Sequence, residues 1–172
     1  MKYILQLILF FSLTSLFSQK INVENIEILR DSFGVPHIYA KTDAELAYGL
    51  AWAHSEDDFK TIQEAYLAGN GLLSKHIGLR GAPADFLTQL IRSDHVVDSL
   101  YHTIDKNFIK VIDGYAQGIN RFAELNPDQI LVKKLFPITT KKMIRYSFLQ
   151  LFISSEGDDF IRTIVENTTR KI

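Results

Sequence analysis

Apolar residues in this chain are spaced first as strands and then, from residue 42 onward, almost entirely as helices. Ile21, Val23, Ile26 and Ile28 alternate imperfectly and predict a strand over 21–29. Asp31, Ser32 and Gly34 follow with turn chemistry. Gly34 is free to take a positive φ, and Pro36 fixes its own φ and holds Val35 extended, so 35–39 reads as a second extended run. Thr42 with Glu45 three residues later fits a capping box at the start of a long helix. Leu46, Leu50 and Ala53, then Phe59, Ile62 and Tyr66, recur at helical spacing on two successive faces, and Gly69, Asn70 and Gly71 end the run.

Further helices follow at short intervals. A brief amphipathic piece spans 72–78, and Pro83 suits the first position of a helix whose buried side would be Phe86, Leu90 and Ile91. The next helix, over 94–103, would bury Val97, Leu100 and Tyr101. Asp105 can cap a helix carrying Phe108, Val111, Ile112, Tyr115, Ile119 and Phe122 on one stripe, stopped by Asn126 and Pro127. Gly114 and Gly118 lie four apart within it, each weakening the helix by about 1 kcal/mol relative to Ala, which predicts a close neighbouring backbone. The apolar segment 130–136 is ambiguous between a strand and a helical turn. A helix over 141–154, capped by Thr139 or Thr140, is apolar on most sides in its second half, Phe148 to Ile153, and such a helix has to be covered all round. A polar loop and a short helix over 160–167 complete the chain.

Composition narrows the classes. Hydrophobic residues at 47% exclude a disordered chain, and 19 basic against 20 acidic residues leave no basic footprint for nucleic acid. With no cysteine there is no disulfide, thiolate metal site or Cys nucleophile. Lys2 followed by a mostly apolar run over 3–17 and a small Ser18 has the pattern of a signal peptide, residues 1–18, which implies a secreted or periplasmic protein with no membrane attachment after cleavage. The mature chain, one incomplete domain over 19–172, would start at Gln19 or Lys20. An uncleaved anchor is the alternative, but the run is short of the ~20 residues a span needs.

The order of features from Arg30 to Phe59 resembles the penicillin acylase family. It comprises the Arg30-Asp31 turn, Gly34-Val35-Pro36-His37-Ile38, a capped helix with Tyr48-Gly49 inside it, and acidic Glu56-Asp57. Gly69, Gly71, Leu72 and Gly78, then Gly114-Tyr115-Ala116 with Gly118 and Asn120, extend the resemblance. One departure is Asp58, where the family commonly has Arg. The resemblance implies a helix-rich α+β fragment of the four-layer αββα sandwich of N-terminal nucleophile hydrolases. It also implies an activity for the whole enzyme: hydrolysis of a linear amide in a small-molecule substrate of the β-lactam side-chain or acyl-homoserine lactone type.

Those enzymes use the first residue of a processed chain as nucleophile and its own α-amino group, of pKa ~7.7–8.0, as base. Neither Gln19 nor Lys20 is a nucleophile, so no catalytic residue is expected here, and the resemblance implies a nucleophile-bearing β-chain as partner. It places the acyl-pocket wall on Leu149 and Ile153, which read equally as core residues, and a calcium ligand on Asp159 with Glu156 beside it, hard oxygen donors that read equally as a solvated loop. Arg30, Asp31, Gly34, Pro36, His37, Tyr48, Gly49, Glu56 and Asp57 form the structural motif. His54 and Asp58, four apart on a helix, read as an ion pair. The alternatives are a truncated, non-catalytic remnant of that family and a stand-alone secreted helical binding module.

Overall fold

The structure, a computed structural model, describes residues 21–155, 157 and 159. The signal-peptide reading of 1–18, the helix over 160–167 and the carboxylates Glu156 and Asp158 lie outside the described residues. Eight elements carry the fold: β1 (Glu27–Arg30), β2 (Pro36–Tyr39), α1 (Asp43–Gly69), α2 (Ser74–Ile77), α3 (Ala82–Leu90), α4 (Ser93–Leu100), α5 (Lys106–Leu125) and α6 (Thr140–Ser154). Single 3-10 turns link several of them. One begins at Val23, so only the second half of the strand expected over 21–29 forms.

The two strands pair antiparallel, with Ile28 opposite Ile38 and Arg30 opposite Pro36. In the connection, Gly34 takes φ 82° and its N–H donates to the Asp31 carbonyl at 3.0 Å. The Asp31 side chain holds the same turn, Oδ1 accepting from the N–H groups of Phe33 at 2.9 Å and Val35 at 3.0 Å. α1 begins where the cap predicts, with Thr42 Oγ1 accepting from the Glu45 N–H at 3.3 Å. Glu45 is itself buried, and Asn25 donates to its Oε1 at 2.8 Å, which ties the 3-10 turn ahead of β1 to the first turn of α1. That Asn25 bond, ahead of those from Thr42, holds the Glu45 carboxyl below its ordinary range.

α1 is two helical segments in one. Asp58 has non-helical backbone (φ −157°, ψ 71°), and its Oδ1 accepts from the Thr61 N–H at 3.0 Å, so it caps the second segment. This break separates the face carrying Phe59, Ile62 and Tyr66 from the first segment, whose buried side is Ala44, Ala47 and Ala51. His54 makes no ion pair with Asp58 as a result; its Nδ1 lies 2.9 Å from the Tyr115 hydroxyl on α5.

The core forms where α1, α5 and α6 meet, with Leu67, Ile119, Leu135 and Ile138 fully buried and the rings of Phe59 and Phe122 tilted 60° to each other among them, centroids 4.9 Å apart. Gly114 and Gly118 make the α1–α5 contact. A Cβ on Gly114 would fall on the Ala44 carbonyl, and one on Gly118 would lie 2.6 Å from the Tyr48 carbonyl oxygen. Small residues therefore face α5, namely Ala44, Ala47 and Ala51, while Leu46 and Leu50 turn outward to solvent. Phe108, expected on the inner stripe of α5, is exposed because it lies a full turn before the part of the helix that meets α1.

Two sequence expectations fail in the outer helices. Phe86 and Leu90 of α3 are exposed, and its buried positions are polar, Asp85 and Thr88. The reason lies in the backbone of the preceding loop. Asp85 accepts from the N–H groups of Leu73 at 2.7 Å and Ser74 at 2.9 Å, and from the Ser74 hydroxyl, so it caps α2 from across the chain. Leu100 of α4 is likewise exposed, while Val97 is buried. In α6 only Leu149 is buried; Leu151 is 67% and Ile153 45% exposed, so the helix is not covered all round by the described residues. Of the two readings of 130–136, the helical turn is the one that forms, as a 3-10 turn at Lys133–Leu135. Among the described residues no helix is long and apolar enough to cross a membrane.

Candidate functional site

The most specific sequence motif is a clamp of the hairpin onto α1. Arg30, the last residue of β1, donates through Nη1 to the Gly34 carbonyl at 2.9 Å and reaches Glu56 at 3.2 Å and Asp57 at 2.8 Å through Nη2. Those two carboxylates lie just before the break at Asp58, and Asp57 ahead of Glu56 raises the Arg30 guanidinium above its usual range. Trp52 completes the Glu56 environment, donating from Nε1 to Oε1 at 2.8 Å, and packs edge-on against Phe122. Asp31 meets His37 with Oδ2 3.2 Å from Nε2. This contact, ahead of the Val35 and Phe33 amides, holds the Asp31 carboxyl below its ordinary range.

Gly49 explains how the hairpin reaches the helix. A Cβ there would lie 2.8 Å from a methyl of Ile38 and 2.9 Å from one of Ile26, so a side chain would force those isoleucines, or the hairpin with them, to shift. Tyr48, its neighbour, presents its carbonyl to Gly118, and burial pushes its phenol up. The structure thus brings Arg30, Asp31, Gly34, Pro36, His37, Tyr48, Gly49, Glu56 and Asp57 into one hairpin–helix junction. Within this group the carboxylates are committed to Arg30, His37 and turn amides, and no side chain is presented as a nucleophile.

The pocket-wall pair lies elsewhere. Leu149 and Ile153 are one turn apart on α6, Leu149 buried and Ile153 half in solvent. α6 is held to α1 at Gly69, where a Cβ would fall on the Tyr146 backbone, and by the edge-on Tyr66–Tyr146 contact with centroids 5.4 Å apart. At its start, burial and then Arg145 lower the Lys142 ammonium, whose Nζ donates to the Pro137 carbonyl at 2.9 Å. For the metal reading, Asp159 is exposed and, like Gly157, is helical rather than part of the expected polar loop; Glu156 lies outside the described residues. Among the described residues no group of three or more histidines and carboxylates stands together to hold an ion.

Two side chains with no role assigned from sequence hold the loop before α6. Asn120 makes a two-way bond with Ile138, accepting from its N–H at 2.7 Å and donating to its carbonyl at 2.8 Å. Gln63, fully buried, accepts from the Leu131 N–H at 2.9 Å and donates to the Gln129 carbonyl at 3.0 Å. A polar residue on an otherwise apolar helical stripe is the signal that could have found both.

A hairpin clamped on a broken helix, with two further long helices against it, is a known arrangement. The structure of thermostable penicillin G acylase from Alcaligenes faecalis matches over 80% of this chain and 74% of that one, with a TM-score of 0.61 and 21% identity. The fold is therefore that of the corresponding part of a penicillin acylase. The family model described as penicillin amidase matches residues 25–153, and the chain belongs to that family. It is 26% identical over 132 residues to an acyl-homoserine lactone acylase, PvdQ, of Pseudomonas syringae pv. syringae, covering 69% of this chain and 17% of that protein. With penicillin G acylase of Escherichia coli it shares 25% over 162 residues, covering 90% of this chain and 19% of that protein. A third relative, penicillin acylase 2 proenzyme of a Pseudomonas species, is 23% identical over 97 residues, 56% of this chain and 12% of that protein. The chain thus spans less than a fifth of the length of these relatives.

Proposed function

We propose that this chain is the nucleophile-free, N-terminal part of a secreted amidase precursor. The whole enzyme would hydrolyse a linear amide, of the acyl-homoserine lactone or β-lactam side-chain type, with a serine at the head of a second chain. In that reading the described helices form outer layers of an αββα sandwich, and Leu149 and Ile153 contribute to the acyl-pocket wall. The mature chain would begin after residue 18, and calcium would be held by Asp159 with Glu156.

The observation that carries this is the surface of α6. Leu151 at 67% and Ile153 at 45% exposure continue an apolar run that the described helices do not cover, in a chain belonging to a family of amide-hydrolysing acylases. Apolar surface of that kind is what a second chain of the same precursor buries. A stand-alone helical module is the second reading, favoured by the complete α1–α5 core, in which Leu67 and Ile119 have no exposure at all.

The two readings separate in one experiment. The gene product is expressed with any coding sequence that follows residue 172, analysed for internal cleavage ahead of a serine, and assayed for amine release from acyl amides of varied chain length. Cleavage with turnover, and no turnover from residues 19–172 alone, supports the amidase. A monomer of residues 19–172 that melts cooperatively and binds no second chain supports the module and overturns the amidase reading.

A further inference from the structure

A cavity of about 440 Å³ opens between the end of α1, the α3–α4 junction and the start of α6. Its wall includes Asn70, Thr88, Gln89, Ser93, Asp94 and Arg145, and it is predominantly polar. Ser93 is 1% exposed, yet among the described residues its hydroxyl has no hydrogen-bond partner. The residue borders the cavity, so a molecule held there can reach that hydroxyl. Two buried atoms of this wall are unpartnered among the described residues, the Oδ1 of Asn70 and the Nε of Arg145, and buried polar atoms ordinarily find a partner.

Those groups carry a definite polarity. Ser93 and Asp94 are the first two residues of α4, which no side chain caps, so the N–H groups of its first turn add their partial positive charge at this end. Arg145 adds a full cation, with its Nη2 leaning on Asp98 at 3.4 Å while Nε has no partner. Asp98 itself is closer to Lys141, at 2.8 Å. The same wall also holds acceptors, the Asp94 carboxylate beside Ser93 and the free carbonyl oxygen of Asn70. An oxyanion alone would satisfy the Arg145 and Ser93 side and be repelled by Asp94; a cation alone would do the reverse.

We propose that this cavity is a binding site for a compact zwitterion carrying a carboxylate beside an ammonium, as in a free α-amino acid. Its carboxylate accepts from the Ser93 hydroxyl, the first-turn amides of α4 and Arg145, and its ammonium donates to Asp94 and Asn70. The volume lies within the range of small-molecule sites, roughly 300–1,000 Å³. No step of amide hydrolysis is required for this binding, so failure of the amidase reading leaves the site standing.

The test is a protein-observed NMR titration of the full gene product with free glycine, acetate and methylamine, each alone. Glycine is expected to shift the amides of residues 88–95, with acetate and methylamine each weaker by about tenfold, the effect of losing one charged set of hydrogen bonds. Ser93→Ala is expected to melt as the parent does, since its hydroxyl has no partner to lose, and to weaken glycine by about tenfold. Asp94→Asn, on an exposed residue, is the second variant, expected to lose the preference for glycine over acetate. The proposal is overturned if glycine shifts nothing in 88–95, if Ser93→Ala binds it as the parent does, or if either single-charge probe matches glycine.

Discussion

Gly118→Ala tests the helix contact on which the whole junction depends. Two opposing effects meet at this position. In an isolated helix, Ala is favoured over Gly by about 1 kcal/mol. In the folded chain, the new Cβ would lie 2.6 Å from the Tyr48 carbonyl oxygen and 2.8 Å from the Ala51 Cβ. An ordinary carbon–oxygen contact is about 3.3 Å, so α1 and α5 must part by roughly 0.7 Å. Neither neighbour is the tip of a flexible side chain, and the parting opens the seam around Ala51, Ala116 and Ile119, all 2% exposed or less. Overpacking of this kind costs about 1–3 kcal/mol, and the rigid neighbours place it toward the upper end, leaving a net loss of about 1–2 kcal/mol. For a chain of this size that lowers the melting temperature by about 2–8 °C, read by circular dichroism. A Gly118→Ala variant that melts at or above the parent would refute the close approach, because helix propensity would then be the dominant effect.

Other positions give sharper readings of single interactions. Asn120→Ala removes both bonds to the buried Ile138 backbone and leaves an N–H and a carbonyl unpaired, at a cost of about 2–4 kcal/mol that urea unfolding should show; an unchanged midpoint would mean water replaces the side chain. Arg30→Gln should lower the melting temperature at low salt, with the difference from the parent shrinking near 1 M salt as the surface ion pairs with Glu56 and Asp57 are screened; equal melts at low salt would show that the clamp contributes nothing. The Asp31 carboxyl is depressed in the folded state, so its contribution is fully present above its unfolded pKa of ~3.9 and is lost as pH falls through the lower folded value. Asp31→Asn should flatten that acid limb of the stability profile, and a profile identical to the parent's would refute the assignment. Calcium held by Asp159 with Glu156 predicts that a chelator lowers the melting temperature of the full gene product and that added calcium restores it; no change would remove the metal from the reading.

Features with local causes could be read from the chain alone. The Thr42 cap, the Asp105 cap and the Gly34 turn are made by side chains within four residues of the amides they hold, so residue type and spacing are enough. The glycine pair of α5 was legible for a different reason. Two costly residues in a strong helical pattern require an approaching backbone, although which helix supplies it is not written locally. Leu46 and Leu50 show the limit of apolar spacing. Where two helices touch through glycine, the inner face has room only for Ala44, Ala47 and Ala51, and the large residues are turned out. Asp85 shows another limit, since the amides it holds are 11 and 12 residues earlier in the chain.

The site shows the same division more strongly. A recognisable motif was taken from the sequence, and its residues come together; yet what the geometry displays is support, with Arg30, Asp31 and Gly49 fixing a hairpin on α1. A long specific motif therefore need not surround the chemistry. Close packing marks a sequence as a catalytic group does, because a Cβ on Gly49 would lie 2.8 Å from an Ile38 methyl and force one of the two to shift. The Ser93 cavity is the converse case. Ser93, Asn70 and Arg145 belong to three separate segments with ordinary local sequence, and only the folding of α1, α4 and α6 onto one another leaves the Asn70 Oδ1 and Arg145 Nε unpartnered around a space that Ser93 also lines. A site assembled by tertiary packing carries no local spacing, so unsatisfied polar groups in the folded chain are the place to look for it.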